Sequence, residues 1–469
     1  MEIKLKKVGI HCWEIPQQKG MKVKAVIYAK KELLSQIYRD QSLNQLIDAA
    51  SLPKVISPVI AMPDVHEGFG LPIGGVMATD GLVSAGAVGM DINCGVRLLF
   101  SQLIYDPQVF SPAFLNLLIK KIEKKVPLGL GGKHRSPLTI SFKEVVEKGV
   151  KALLKDKIAN EDDLQAIEEN GCLEGALLEN LSPQAIKRAE KELGTLGSGN
   201  HFIEIQRITQ IYDENLAKKW GLFENQICVM VHTGSRALGH QTCIDYTNKF
   251  FKEQKNYGIT SPNKNFSSLP ADSPLGKAYL SAMAGCVNFA FANRQLITFF
   301  IRQVFQEVFL KPEAKLSLLY DVAHNIAKWE IHQGKRVLVH RKGATRALPT
   351  NHPQNPPKYL STGHPAIVPG SMGTSSYIMV GLPPAEKTFY SINHGAGRVM
   401  SRTEAINTIK KQDFEEKMGK IVYNLPFFKI ADEAPQAYKD IDLVVETLVE
   451  AGLTKKVAQL KPLAVIKGV

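Results

Sequence analysis

Cysteine is scarce in this sequence: six residues in 469, with no Cys-x-x-Cys pair among them. Six scattered cysteines in so long a chain are not a disulfide framework, which leaves each thiol free to act as a ligand. Long apolar runs are missing as well. The longest, AYLSAMAGCVNFAFAN (278–293), is too short for a membrane span, holds two Asn and lies between Lys277 and Arg294, so it reads as a buried helix. The N-terminal MEIKLKKVGIHCWEIPQQKG has charges but no apolar centre of a signal peptide. A soluble, intracellular, cytoplasmic protein is expected. There is no internal repeat and no low-complexity linker. Acidic residues are the minority, 45 against 58 Lys and Arg, for a formal net charge of +13 and a pI of about 9.2. That balance leans toward polyanions, although a solvated lysine surface produces it equally well.

The common nucleotide signatures are absent too. PLGLGGKH (127–134) approaches a Walker A loop, but its spacing fails and His134 stands where Ser or Thr belongs. There is no Lys-x-Asp-Gly of the lysine-type nucleotidyl ligases and no Gly-x-Ser-x-Gly elbow.

What is present mixes strand and helix signals. Residues 24–29 and 55–61 read as strands, and 111–126 has helical spacing after a Ser-Pro start. Residues 142–192 are rich in Glu, Lys, Leu and Ala and predict several short amphipathic helices, a helical insertion. Short apolar strands follow at 201–205, 228–236, 316–325 and 337–347, each ending in a polar cluster, and a long helical region fills roughly 276–309. Without a regular βαβ beat the expected class is α+β, a single large mixed domain over 1–469 with central β-structure.

The polar clusters carry the chemistry. In GMDINCGVR (89–97), Asp91 and Cys94 are three apart, with Gly95 allowing a sharp turn. Alone this is weak, since a capped turn beside a buried thiol looks the same. His201, His232 and His324 each stand where an apolar strand meets a Gly- or Asn-containing turn. One such histidine is usually a core residue. Three of them with Asp91 and Cys94 make a set large enough for two cations, with a thiolate able to bridge. Donor softness alone suggests zinc. Paired metals suit phosphoryl transfer. VPGSMGTSSY (368–377) offers glycine turns and hydroxyls for phosphate or ribose, or is simply a turn of small residues.

INHGAGR (392–398) places His394 before two glycines and Arg398, with a helix expected from Val399 on. A neutral imidazole can attack phosphorus to give a reactive phosphoramidate. Gly395 and Gly397 would let backbone N–H groups approach a phosphate, and Arg398 would offset developing charge.

Taken together these stretches resemble the RNA-splicing ligases of the RtcB type. The likeness runs in order through MPDVHEGFGLPIGGVMA (62–78), DINCGVR, LGTLGSGNHFIE, VHTGSRALGHQ, DVAHN, HRKGATRA, VPGSMGTSSY, NHGAGR, APQAYKDID (434–442) and the terminal KPLAVIKGV. Small departures are Ser198, Thr233 and Ala237, and one residue, Val469, beyond the usual terminal Lys-Gly.

The resemblance implies an RtcB-like fold and a ligase that uses GTP and two manganese ions. Such a ligase joins RNA 2′,3′-cyclic phosphate or 3′-phosphate ends to 5′-hydroxyl ends. His394 would be guanylylated, GMP would pass to the RNA 3′-phosphate, and the 5′-hydroxyl would expel it. One manganese would take Asp91, Cys94 and His201, the other Cys94, His232 and His324, so manganese replaces the zinc suggested by softness. GTP would be held by Asn200, His201, Phe202, Ile203, Glu204, His324, Asn325, Pro369, Gly370, Ser371, Met372, Ser376, His394, Gly395, Ala396, Gly397, Tyr438 and Lys467. Glu204 would accept from the guanine N–H edge and Tyr438 would lie against the base. Arg188, Arg236, Arg398 and Arg402 would bind RNA phosphates, and an archease-type activator is a further implied partner. A two-metal phosphoesterase acting on RNA ends without GTP explains the ligand set but leaves His394 and the serine loop idle. A non-catalytic RNA-binding protein explains the charge but not the ligands.

Overall fold

Alternating and continuous apolar runs become two large sheets in the computed structural model, which describes residues 3–18, 20–134 and 139–469. The first sheet has seven strands, in the order Lys6–Gly9, Cys12–Ile15, Ala25–Tyr28, Val55–His66, Ile73–Thr79, Lys335–Lys342 and Asn325–His332. The second has eight. Seven follow the order Ser317–Ala323, Gly95–Ile104, Gln226–Thr233, Phe202–Ile211, Thr454–Ile466, Ser376–Gly381 and Ala366–Val368, and Val422–Tyr423 pairs with Thr454–Ile466. Parallel pairing within these sheets is confined to Ala25–Tyr28 with Val55–His66 and Val422–Tyr423 with Thr454–Ile466. The mostly antiparallel sheets and the helices outside a βαβ rhythm make this an α+β fold, as expected.

Strand Gln226–Thr233 shows why its middle, Ile227 to Val231, is apolar without a break. Ile227, Val229 and Val231 enter the largest core, while Cys228 and Met230 enter a second core on the other face. A strand covered on both faces loses the usual polar alternation.

Helix Pro274–Phe309 backs the larger core. Ser273 caps it by accepting from the Gly276 N–H, and Pro274 occupies its first turn, where a missing N–H costs nothing. The apolar stretch 278–293 is buried in it as expected. Arg294, which follows it, is fully buried. Its guanidinium meets Asp321 at 2.9 Å, and Arg97 meets the same carboxylate at 2.7 Å. Short helices Phe142–Lys148, Glu161–Gln165 and Pro183–Ala189 fall within 142–192, and Val145, Val146, Leu153 and Ile167 join the same core. The helix expected from Val399 starts only at Arg402, because Ser401 is its N-cap and forms a capping box with Glu404. Among the described residues no helix is long and apolar enough to cross a membrane.

Candidate functional site

Sheet register assembles the proposed ligands. Strands Ser317–Ala323, Gly95–Ile104, Gln226–Thr233 and Phe202–Ile211 are consecutive neighbours, with Ala323 opposite Gly95, Val96 opposite His232, and Phe202 opposite His232. His324, Cys94, His232 and His201 therefore converge at one end of the sheet. The Asp91 carboxylate lies 2.9 Å from His201 Nε2; Cys94 Sγ lies 3.5 Å from His201 Nε2 and 3.3 Å from His232 Nε2; His232 and His324 Nε2 atoms are 3.3 Å apart. Two triads result, Asp91–Cys94–His201 and Cys94–His232–His324, sharing the thiol, with the donor atoms of each within 4.8 Å of one another.

This donor set fits metal ions. Burial drives His232 and His324 well below the ordinary imidazole range, so both present neutral rings and cannot offset charge for one another. Burial, then the Asp91 carboxylate, push the Cys94 thiol well up, so a thiolate there calls for a cation. Burial acts to raise Asp91, but His201, Cys94 and Arg236 together outweigh it and hold the carboxyl below its usual range. His201 Nδ1 faces the Leu196 carbonyl at 3.1 Å, which places a proton on Nδ1 and leaves Nε2 free to ligate. Thr233 also donates to that carbonyl.

The loop behind the thiol is braced from below. Arg294 donates to the backbone carbonyls of Asn93 at 2.9 Å and Thr233 at 2.7 Å, next to Cys94 and His232. The sharp turn expected at Gly95 is made instead by Asn93, at φ 51°. Gly95 serves close packing: a Cβ there would lie 2.5 Å from the Val322 carbonyl oxygen and 3.0 Å from Arg294.

His394 lies beside this cluster, its ring centroid 4.8 Å from that of His324. Its Nδ1 meets Asp64 Oδ2 at 2.7 Å, and the N–H groups of His394 and Gly395 donate to the same oxygen at 3.0 and 3.3 Å. A buried carboxylate acceptor puts the ring proton on Nδ1 and leaves the Nε2 lone pair unengaged. Of the two glycines expected to turn their N–H groups to phosphate, Gly395 thus has its own taken up, together with that of His394, by the protein's own anion. Gly397, at φ +75°, admits the Asp64 backbone, whose carbonyl would sit 2.1 Å from an added Cβ.

A second carboxylate, Glu433, gathers several of the nucleotide- and RNA-directed residues. It meets Lys467 Nζ at 3.2 Å, Arg402 at 2.8 Å, Arg398 at 3.3 Å and the Tyr438 hydroxyl at 2.5 Å. Burial would raise Glu433, but Lys467, Arg402 and Arg398 together hold it below the usual carboxylate range.

Residues 45–468 match the family described as tRNA-splicing ligase RtcB. The chain is 42% identical over 484 residues to the tRNA-splicing ligase RtcB of Thermococcus kodakarensis, covering 99% of each chain. It is 44% identical over 483 residues to that of Nanoarchaeum equitans, covering all of both. The RNA-splicing ligase RtcB of Mycobacterium tuberculosis is 41% identical over 437 residues, 90% of this chain and 100% of the relative. This chain belongs to the RtcB family.

Against the RtcB site expected from sequence, a cavity of about 390 Å³ collects most of the named residues. Asp91, Cys94, His232 and His324 line it with His394, Gly395, Ala396, Gly397, Arg398 and Arg402. So do Asn200, Phe202, Asn325, Pro369, Gly370, Ser371, Met372, Tyr438 and Lys467. Asn325 braces two loops, donating to the Asp91 carbonyl and accepting from the Gly343 N–H. His201, Ile203, Glu204, Ser376, Arg188 and Arg236 are not among the lining residues. Ile203 is core. Ser376 accepts from the Gly370 N–H and from Gln206, which also donates to Glu204. Glu204 is buried with one oxygen unpartnered among the described residues, and burial pushes its carboxyl up to about 8. Arg188 bonds Gln241. Arg236, its side chain 6% exposed, engages the Gly129 carbonyl, Thr195 and Glu192. Sequence reasoning assigned no role to Asp64, His66, Lys342 or Glu433. The motifs DVHEG and HRKGA contain the first three, but nothing local tells which carboxylate faces His394.

Proposed function

We propose that this chain is a GTP- and manganese-dependent RNA ligase, joining RNA 2′,3′-cyclic phosphate or 3′-phosphate ends to 5′-hydroxyl ends through a guanylylated His394 and an RNA carrying GMP on its 3′-phosphate. The observation that carries the reading is the pairing of His394 with Asp64 beside a five-donor cluster that suits two cations. Asp64 accepts the Nδ1 proton, so Nε2 keeps its lone pair for the GTP α-phosphorus. Asp91, Cys94 and His201 would hold one manganese and Cys94, His232 and His324 the other; bound there, the ions would neutralise phosphate oxygens. Tyr438, Phe202 and Lys467 would take the guanine, with Glu433 orienting Lys467. Glu204, poised near neutrality, would ionise to accept from the guanine N–H edge. Asn200, Asn325, Ser371, Ser376 and the backbone of Pro369, Gly370 and Met372 would hold phosphates and ribose. Arg398 and Arg402, then Arg188 and Arg236, would meet RNA phosphates, the last two after rearrangement of their present partners. The relatives' names support an RNA substrate; a cytoplasmic setting and an archease-type activator belong to the same reading.

A two-metal phosphoesterase would need the cluster but not the His394–Asp64 pair. Incubation with GTP labelled on the α-phosphate separates the two. The ligase keeps label on protein after denaturation, and His394→Ala loses it while still sealing RNA already guanylylated at its 3′ end. Wild-type protein that takes no label defeats the reading.

A further inference from the structure

One part of the cavity is left without a role by this account. Lys342, at the end of strand Lys335–Lys342, lines it together with His66 and Phe69. The lysine is 5% exposed. Its side chain passes two glycines that have given up their own: a Cβ at Gly89 would lie 2.9 Å from Lys342 Cε, and one at Gly68 would lie 3.1 Å from Nζ. Gly343, the next residue, runs along the nucleophile, since a Cβ there would be 3.1 Å from His394 Cε1. The chain therefore builds a channel that carries an ammonium to the cavity that His394 also lines.

That ammonium lacks the partner its neighbours have. Lys328 is paired with Glu168, Lys467 with Glu433, Arg341 with Glu330, and Arg97 and Arg294 with Asp321. Lys439 rests on two carbonyls, those of Pro63 and Val65. Lys342 donates to the Phe69 carbonyl alone, and among the described residues no carboxylate lies within ion-pair distance. Burial accordingly pulls its pKa down to about 7. A buried, unpaired cation is costly, and a protein keeps one where an anion arrives to complete it.

We propose that Lys342 anchors the terminal phosphate of the RNA 3′ end beside His394, an assignment that rests on the ligase reading above. Lys467 is directed to the nucleotide, and the two arginines of the cavity directed to RNA phosphates, Arg398 and Arg402, are both tied to Glu433, whereas Lys342 has no carboxylate to give up. That phosphate is a dianion when it enters, which holds the ammonium charged. One of its oxygens attacks the α-phosphorus carried by His394. A P–O bond forms, the P–N bond breaks, and the electron pair returns to Nε2; no proton or further reactant is required. His66 contributes a neutral ring to the same wall, because burial lowers it to about 4 and its Nδ1 is held 2.9 Å from the Asp64 carbonyl.

The test separates the two half-reactions in Lys342→Met, which keeps the reach of the apolar stem and removes the ammonium. Removal of an unpaired buried charge leaves thermal stability and manganese content equal to or above wild type. Labelling by α-labelled GTP stays within a few-fold, while transfer of GMP from isolated guanylylated protein to RNA with a 3′-phosphate falls on the order of 10- to 100-fold, the worth of one charge-assisted hydrogen bond. Lys342→Gln serves if the Met variant does not fold. Transfer at the wild-type rate overturns the proposal. So does slowed labelling with normal transfer, which would assign Lys342 to the GTP phosphates. Absence of labelling in wild-type protein defeats the ligase reading and this proposal together.

Discussion

Asp64 holds His394 at both ends of the residue, accepting from the ring Nδ1 at 2.7 Å and from the backbone N–H at 3.0 Å through a single carboxylate oxygen. The double grip fixes the rotation of the imidazole as well as its tautomer. A ring fixed in both respects presents one nitrogen in one direction, as nucleophilic attack on phosphorus demands. Lys439, donating to the carbonyls on either side of Asp64, holds that stretch of strand in turn.

Asp64→Asn should therefore separate nucleophile from metal chemistry. The amide can offer the ring its oxygen, but it carries no charge to stabilise the imidazolium that forms on attack. Guanylylation slows by roughly 100-fold, with manganese content unchanged. Labelling kinetics beside metal analysis check this; an Asn variant that labels at the wild-type rate removes Asp64 from the mechanism.

Cys94→Ala should cost more metal than Asp91→Ala. The thiol belongs to both triads and the carboxylate to one. Mass spectrometry of metal content is expected to find the Cys94 variant depleted at both positions and the Asp91 variant chiefly at one. Two manganese retained without Cys94 would rule out bridging.

Glu204 predicts a pH-dependent stability. Its carboxyl is raised by burial from the ordinary 4.5 to about 8. A raised acid binds a proton in the folded state that the unfolded chain has released, so stability falls as pH rises from about 4.5 to about 8. Glu204→Gln removes that dependence. Its melting temperature should match wild type near pH 4.5, exceed it progressively up to pH 8, and keep a constant lead above. Melting curves across that range in the absence of nucleotide give the answer, and a lead that shrinks with rising pH contradicts it.

Asp321→Ala should be among the most damaging substitutions away from the cavity. It strands Arg97 and Arg294, both fully buried, and Arg294 braces the carbonyls beside Cys94 and His232. Loss of one partner from such a buried network costs on the order of 3–5 kcal/mol. Thermal melts should register that loss, with metal binding weakened in any fraction that still folds; a melt within a degree or two of wild type would show that the two guanidiniums find other acceptors.

Much of this was legible in the chain itself. His201, His232, His324 and Cys94 could be picked out because each is a ligand type at the end of an apolar strand, and both the apolar run and the turn residue beside it are local signals. The long helical region was readable over roughly 276–309 from the apolar residues through its length, and its Ser273–Pro274 start lies just upstream. Local pattern also misled. Gly95 looked like the turn and is a packing contact, because Arg294, two hundred residues on, needs the space. Val399 looked helical, yet the cap is Ser401. What periodicity cannot carry is which strand lies beside which. Sheet register brought four ligand-bearing strands into consecutive order, while packing between different sheets set Asp64 against His394 across 330 residues and left Lys342 in the cavity without a carboxylate. A strand's own sequence determines which of its faces is buried, but the partner it meets there is chosen by the packing of the whole chain.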